Sequence, residues 1–322
     1  MRIAVIGTSY IAECFVRAMD ECRDIEVAAV YSRTSENADR FADAFGIAQT
    51  YTNLEELANS TTVDAVYVAS PNSCHFGQSM QMMKGGKHVL CEKPIAANAD
   101  EFTQMLRIAK ENGVVLLEAS MHLFSPGIGI IRELLPEVGI IRRVSFVMNQ
   151  YSSKYDNFKK GKFANVFLPE FAGGALLDIG IYCVELMVAL FGKPDSIVSS
   201  SINMHTGVDG QGAAIAKYDG FLAELSYSKI SQSVTPCTIQ GENGSLVFAW
   251  PSIIDKIDVV MRSGEKRQIP CNCSEHQMKY EAEAFYKMTK NPEKAGVFNE
   301  CSMMSLAIMD EIRKQCFNYT RE

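Results

Sequence analysis

Asp178 and Tyr182 stand four residues apart in a strongly apolar stretch that opens at Gly173-Gly174 and runs to Phe191. At helical spacing they share a face. A carboxylate and a phenol on one face can bind a hydroxyl and move its proton. Tyrosine, with an ordinary pKa near 10, is a poor base at neutral pH unless a neighbouring ammonium lowers it. The plain alternative is a core tyrosine whose hydroxyl the aspartate accepts. A second candidate is the turn Gly7-Thr8-Ser9-Tyr10-Ile11-Ala12, placed where a dinucleotide's pyrophosphate rests on a helix N-terminus. Gly7 keeps the first glycine of G-x-G-x-x-G, while Ser9 and Ala12 replace the other two. Ala12 is small enough for helix packing. Ser9 restricts the approach of phosphate but brings a hydroxyl that can donate to it. Downstream, Tyr31-Ser32-Arg33-Thr34 carries no acid for a ribose 2′-hydroxyl, and instead an arginine with two hydroxyls. That favours NADP(H) over NAD(H) at such a site; otherwise Ser32, Arg33 and Thr34 form a solvated loop. His75 and His122 are candidate pocket residues. Tyr155, Asp156 and Asn165, in a polar segment before the glycine pair, could reach a substrate.

The elements that must hold these residues follow from hydrophobic patterning. Short apolar runs at 3–6, 27–31, 65–69, 88–91 and 114–117 alternate with amphipathic helical stretches near 11–22, 38–45, 80–83 and 100–112. Strands apolar on both faces and separated by helices predict a doubly wound parallel sheet over residues 1–121. Beyond it, 140–150 reads as a strand, 173–191 as an apolar helix, and 195–270 as consecutive strands with hairpin signals at Asp219-Gly220 and Asn243-Gly244. Helices near 275–290 and 299–316 finish the chain. Residues 122–322 are therefore expected to form one α+β domain with a large, mostly antiparallel open sheet.

The 322 residues, 47% apolar, suit two domains that need no disulfide or metal staple. With 31 basic against 38 acidic residues, the net charge of −7 argues against a nucleic-acid or anionic-membrane surface. No run of 18 uninterrupted apolar residues predicts a membrane span, and residues 1–7 read as a strand rather than a secretion signal. Of the ten cysteines, Cys14, Cys183 and Cys301 read as small core residues. None has zinc-site spacing, Cys271-Asn272-Cys273 included. Reduced thiols, a cytoplasmic setting and no metal site are expected.

Two further strings sharpen the reading. Asp64-Ala65-Val66-Tyr67-Val68-Ala69-Ser70-Pro71-Asn72-Ser73-Cys74-His75 is followed by Gly86-Lys87-His88-Val89-Leu90-Cys91-Glu92-Lys93-Pro94. With the opening turn and Gly173-Gly174-Ala175-Leu176-Leu177-Asp178-Ile179-Gly180-Ile181-Tyr182, the order resembles the Gfo/Idh/MocA oxidoreductases. The nearest branch contains dihydrodiol dehydrogenases, glucose-fructose oxidoreductase and xylose dehydrogenases. The resemblance implies hydride transfer between a nicotinamide and a carbinol carbon of a sugar, cyclitol or diol. It implies Lys93 as the catalytic lysine, Asp178 as the acidic member of the site, and Tyr182 where many relatives have His. It implies a cofactor lined by Gly7, Thr8, Ser9, Tyr10, Ile11, Ser70, Pro71, Asn72, His75, Glu92 and Lys93. His122, Tyr155 and Asn165 are the expected substrate contacts, and the antiparallel sheet is expected to pair two subunits, as a homodimer or a dimer of dimers. One departure is Leu123, where relatives often carry Arg after an E-x-x-M-aromatic string.

Hydride transfer needs a group for the hydroxyl proton and a stabiliser for the developing alkoxide. One assignment makes Tyr182 the proton donor and acceptor, with Lys93 lowering its pKa and Asp178 orienting. The other makes Lys93 the acid/base and Tyr182 a positioning group. Branches of such folds that have lost catalysis leave a second class open: a nucleotide- or ligand-sensing regulator.

Overall fold

The structure is a computed structural model and describes residues 1–317. The chain divides into two compact units, each described by itself. The first comprises Met1–Met121 and Glu275–Met303, the second His122–Ser274 and the chain from Met304 on.

The first unit alternates strand and helix: β1 (Arg2–Ile6), α1 (Tyr10–Met19), β2 (Glu26–Tyr31), α2 (Ser35–Phe45), β3 (Gln49–Tyr51), α3 (Leu54–Asn59), β4 (Ala65–Val68), α4 (Asn72–Lys84), β5 (His88–Glu92), α5 (Ala99–Glu111) and β6 (Leu116–Ala119). All pairings are parallel, in the order β3-β2-β1-β4-β5-β6. The chain adds strands outward one way from β1 to β3 and the other way from β4 to β6, so β1/β4 is the doubly wound switch point, where ligands collect beyond the carboxyl ends of the strands. β1, β4 and β5 are buried almost throughout, which is why they read as unbroken apolar runs.

The second unit opens with α6 (Met121–Phe124) and α7 (Pro126–Leu134). It continues through β7 (Ile141–Asn149), α8 (Tyr155–Phe158) and α9 (Ile181–Phe191). Then come β8 (Ser196–Asn203), β9 (Asp209–Tyr218), β10 (Phe221–Ser228), β11 (Cys237–Gly241), β12 (Gly244–Phe248), β13 (Lys256–Met261) and β14 (Lys266–Pro270). The eight strands form one sheet, β14-β13-β12-β11-β7-β10-β9-β8, antiparallel except for the β7–β10 pair. Residues Leu176–Gly180, immediately before α9, are π-helical, and the Ile181 N–H reaches back to the Leu176 carbonyl. The expected helix 173–191 thus begins with a widened turn. By length and composition, Pro169–Phe191 is apolar enough to cross a membrane, contrary to the count of uninterrupted apolar residues. In this fold 72% of its most apolar window is buried inside the protein, as a core helix is.

The last two helices are α10 (Met278–Lys290) and α11 (Ala295–Phe317). Here the expected domain 122–322 is corrected. Glu275–Met303 belongs to the first unit, because α10 packs on α1, β5 and β6 and buries Met278, Ala282, Phe285 and Met288 there. An amphipathic face shows that a helix has a partner, not which sheet the partner is. Cys183 is fully buried as expected, but Cys14 and Cys301 are only half-buried.

Candidate active site

In the first unit, Gly7 follows β1 with φ +120°, and its N–H donates to the Tyr31 carbonyl at 3.0 Å. A methyl group there would lie 2.6 Å from the Ala69 carbonyl oxygen, so only glycine lets the end of β1 pass the end of β4. The first bond of α1 runs from the Glu13 N–H to the Ser9 carbonyl, 3.1 Å. The N–H groups of Tyr10, Ile11 and Ala12 precede it and lie at the positive end of the helix. Ser9 occupies the N-cap without using its side chain, and it is exposed, as are Tyr10 and Ile11. Ala12 is fully buried as the small packing residue.

At the end of β2, Ser32 is buried and Arg33 exposed. Among the described residues Arg33 has no ion-pair partner. Thr34 is the N-cap of α2, its hydroxyl accepting the Asn37 N–H at 3.4 Å, which leaves its O–H to donate. Helix end, unengaged serine, close-approach glycine and unpaired arginine together fit a nicotinamide dinucleotide. Gly7, Ser9, the first turn of α1 and Arg33 would hold it.

Lys93 follows β5 on a firmly tied loop. His75 joins its Nδ1 to the Pro94 carbonyl and its Nε2 to the Ser70 carbonyl, both at 2.9 Å. The Glu118 carboxylate accepts the Ile95 N–H at 2.8 Å, and Glu101 accepts the Ala97 N–H at 3.0 Å. Lys93 is half-buried. His75 is therefore a brace between two loops rather than a cofactor ligand. Burial, opposed by those two carbonyls, sets its pKa below the ordinary histidine value. Glu92 is likewise corrected: its carboxyl is buried and accepts the Tyr67 hydroxyl. Burial raises the pKa of Glu92, and it raises that of Glu281 on α10 more strongly, with Glu92 nearby adding repulsion. Ser70 donates to Gln78 at 2.6 Å; Pro71 and Asn72 open α4.

In the second unit, Asp178 sits in the π-turn and Tyr182 one turn on, at the start of α9; both are half-buried. π-turns recur at functional sites because they re-aim side chains. Asp178 forms an ion pair with Lys229, which follows β10 and is 8% exposed. Backbone bonds fix Lys229 on two sides: its N–H to the Gly210 carbonyl and its carbonyl from the Ser152 N–H, both 2.9 Å. Sequence reading missed Lys229. Its one signal was a lysine directly after an apolar strand. The glycine pair is explained by what lies against it. Gly174, at φ +118°, leaves room for the buried carboxylate of Asp209, whose Oδ2 accepts the Leu176 N–H at 2.8 Å. Gly174 and Gly173 donate to the Val166 and Leu168 carbonyls, at 2.8 and 3.1 Å.

Burial pushes the Asp209 carboxyl up to about 6, against the backbone N–H groups that favour its ionised form. A folded-state pKa above the unfolded value means the folded protein binds the extra proton. The resulting stability is full below about pH 4 and is lost as pH rises through about 6. Relative to Asp209→Asn, the native protein is expected to lose on the order of 3 kcal/mol across that window. Urea unfolding of both proteins between pH 4 and 7 checks the sign and size; parallel curves would refute it.

His122 is fully buried, its Nε2 3.5 Å from the Glu185 carboxylate, and its ring meets the Tyr182 ring edge-on at 5.1 Å. That burial corrects its expected role as a substrate contact. Tyr155 packs among Tyr151, Phe158 and Phe167. Asn165 is exposed at the head of a short 3₁₀ turn.

Known proteins decide what this arrangement is. The model of the oxidoreductase family with an NAD-binding Rossmann fold, Gfo/Idh/MocA, matches residues 1–120, and that of the family's C-terminal domain matches 135–247. The chain belongs to the Gfo/Idh/MocA family. It is 40% identical to the scyllo-inositol 2-dehydrogenase (NADP(+)) IolU of Bacillus subtilis, over 98% of this chain and 97% of that one. It is 30% identical to the trans-1,2-dihydrobenzene-1,2-diol dehydrogenase of Xenopus tropicalis, over 91% and 90%. Among solved structures, the 3-ketoreductase KijD10 of Actinomadura kijaniata, in complex with NADP and TDP-benzene, superposes with a TM-score of 0.88. That match covers 98% of both chains at 24% identity, a likeness of fold. As a member of this family, the chain is an NAD(P)-dependent oxidoreductase acting on CH–OH groups.

Proposed function

We propose that this protein is an NADP(H)-dependent dehydrogenase of a cyclitol or closely related small polyol. The observation that carries the reading is the pairing of an unpartnered Arg33, with no acid beside it, to a full-length relative named for scyllo-inositol and NADP(+). The dinucleotide, when bound, supplies the hydride acceptor or donor. The chain supplies everything else. Tyr182 takes the carbinol proton during oxidation and returns it during reduction. Lys93 polarises the carbinol oxygen and stabilises its developing charge. Asp178, held by Lys229, accepts a hydroxyl of the polyol. The regulator reading gains no support from relatives named as dehydrogenases.

Titration of the protein with NADPH and NADH, followed by nicotinamide emission, tests the cofactor assignment. NADPH is expected to bind more tightly, and Arg33→Ala to weaken NADPH about 10–100-fold while sparing NADH. Equal losses for both would remove Arg33 from the phosphate site. Oxidation of scyllo-inositol with NADP+ tests the reaction. Tyr182→Phe is expected to lower kcat about 10²-fold, within the range of general acid–base catalysis. An unchanged kcat would pass the proton to Lys93.

We also propose that the large sheet pairs two copies of the chain. Val198, Ile202, Ile215 and Leu222 are all exposed, and Val198 pairs directly with Ile215 across β8 and β9. An apolar face of this kind is a docking surface or a liability. Light scattering would read a single-chain mass if this is wrong. Ten free thiols support a reducing, cytoplasmic setting, which cell fractionation tests.

A further inference from the structure

Glu185 is an anomaly. It is the one charged residue in the run Ile-Tyr-Cys-Val-Glu-Leu-Met-Val-Ala-Leu-Phe of α9, and it is completely buried. A carboxylate in such surroundings carries a penalty of several kcal/mol, and hydrophobic replacement of buried ion pairs is often neutral or stabilising. Packing alone therefore gives no reason for it. What it faces is His122, also completely buried, across 3.5 Å. His122 in turn sets its ring edge-on against Tyr182, three residues before Glu185 on the same helix. One imidazole thus meets both a buried acid and the ring of the phenol.

We propose that His122 and Glu185 are positioning residues for Tyr182: Glu185 holds His122 as an imidazolium, and the imidazolium holds the phenol in place and favours its ionised form. The inference rests on the reading of Tyr182 as the proton-transfer group, but its structural part stands without a substrate. A cation beside a phenol lowers the phenol's pKa; an anion beside it raises the pKa. Titratable and charged groups on this helix and the elements beside it include Asp178 with Lys229, Cys183, Asp209 on β9, Tyr227 on β10, and Arg132 on α7, whose guanidinium donates to the Ala189 carbonyl at 3.0 Å. They are unchanged in the variants below, so a shift reports the pair.

The experiment uses the full-length protein with tyrosine ¹³C-labelled at Cζ and no substrate, the Tyr182 line being identified by its loss in Tyr182→Phe. In His122→Phe/Glu185→Leu the Tyr182 titration is expected to move up by about one pH unit or more. The thermal midpoint should stay level or rise, because an apolar pair replaces an ionic one. If that double variant does not fold, Glu185→Gln serves alone, and its sign is diagnostic. Loss of a nearby negative charge by itself would lower the titration point; loss of the imidazolium raises it, and the rise is expected. An unmoved or lowered Tyr182 titration overturns the proposal. With scyllo-inositol and NADP+, the double variant should also lose about tenfold or more in kcat at constant KM for NADP+. A normal kcat in Tyr182→Phe would fault the reading of Tyr182, whereas a normal kcat in the double variant with an impaired Tyr182→Phe would fault the pair.

Discussion

Lys93→Ala should lower kcat by about 10³-fold or more and change the KM for NADP+ by less than about tenfold. In the proposed mechanism Lys93 is needed under either assignment of the proton: as the acid/base itself, or as the cation that stabilises the charge on the substrate oxygen. Its loop is fixed by His75, Glu118 and Glu101, so removal of the side chain leaves the loop's bonds intact. The thermal midpoint is therefore expected to hold within a few degrees, since a half-exposed lysine contributes little to stability. Lys93→Arg should rescue poorly, because a planar guanidinium cannot present its charge at the point an ammonium occupies. Steady-state kinetics beside a fluorescence titration separates the effects. Loss of NADPH binding in step with kcat would make Lys93 a cofactor anchor only.

Gly7→Ala should cost about 2–4 kcal/mol of stability and weaken NADPH binding about 100-fold or more. Two penalties act together. A φ of +120° is strained for any residue with a Cβ, and the new methyl would press on the Ala69 backbone carbonyl at 2.6 Å. Because the obstacle is main chain, no rotamer change relieves it. The displaced element is the turn that leads into α1, whose first N–H groups would hold the phosphates. Urea unfolding and the NADPH titration measure the two losses; a variant as stable as the native protein would show that this turn has slack the geometry denies.

Gly7 and the ends of the buried strands were legible in the sequence because parallel strands covered on both faces leave unbroken apolar runs. Lys93, Asp178 and Tyr182 were legible as members of ordered strings. What supports them was not. Lys229 meets Asp178 across 51 residues of chain, and Asp209 meets Leu176, beside the glycine pair, across 33. Such partners are chosen by β-sheet registry, which no local pattern encodes. Glu185 and His122 each left a trace, a charge or imidazole in apolar text, but not the identity of the other. His75 and Glu92 were misplaced because a string match gives a residue's neighbourhood and not the direction of its side chain. The π-turn at Asp178 was hidden because apolar periodicity barely changes over one widened turn.

The return of α10 to the first sheet has a consequence during synthesis. A nascent chain ending at Met121 carries all six parallel strands, but not the helix that covers β5 and β6 and brings Phe285 and Glu281 against them. That helix leaves the ribosome roughly 150 residues later, on the order of ten to thirty seconds at ordinary translation speeds. Meanwhile the sheet has an uncovered apolar patch, the kind of surface chaperones bind. The nucleotide-binding half is thus completed only after most of the other half has been made, and grafting it onto another protein requires two separate pieces of chain.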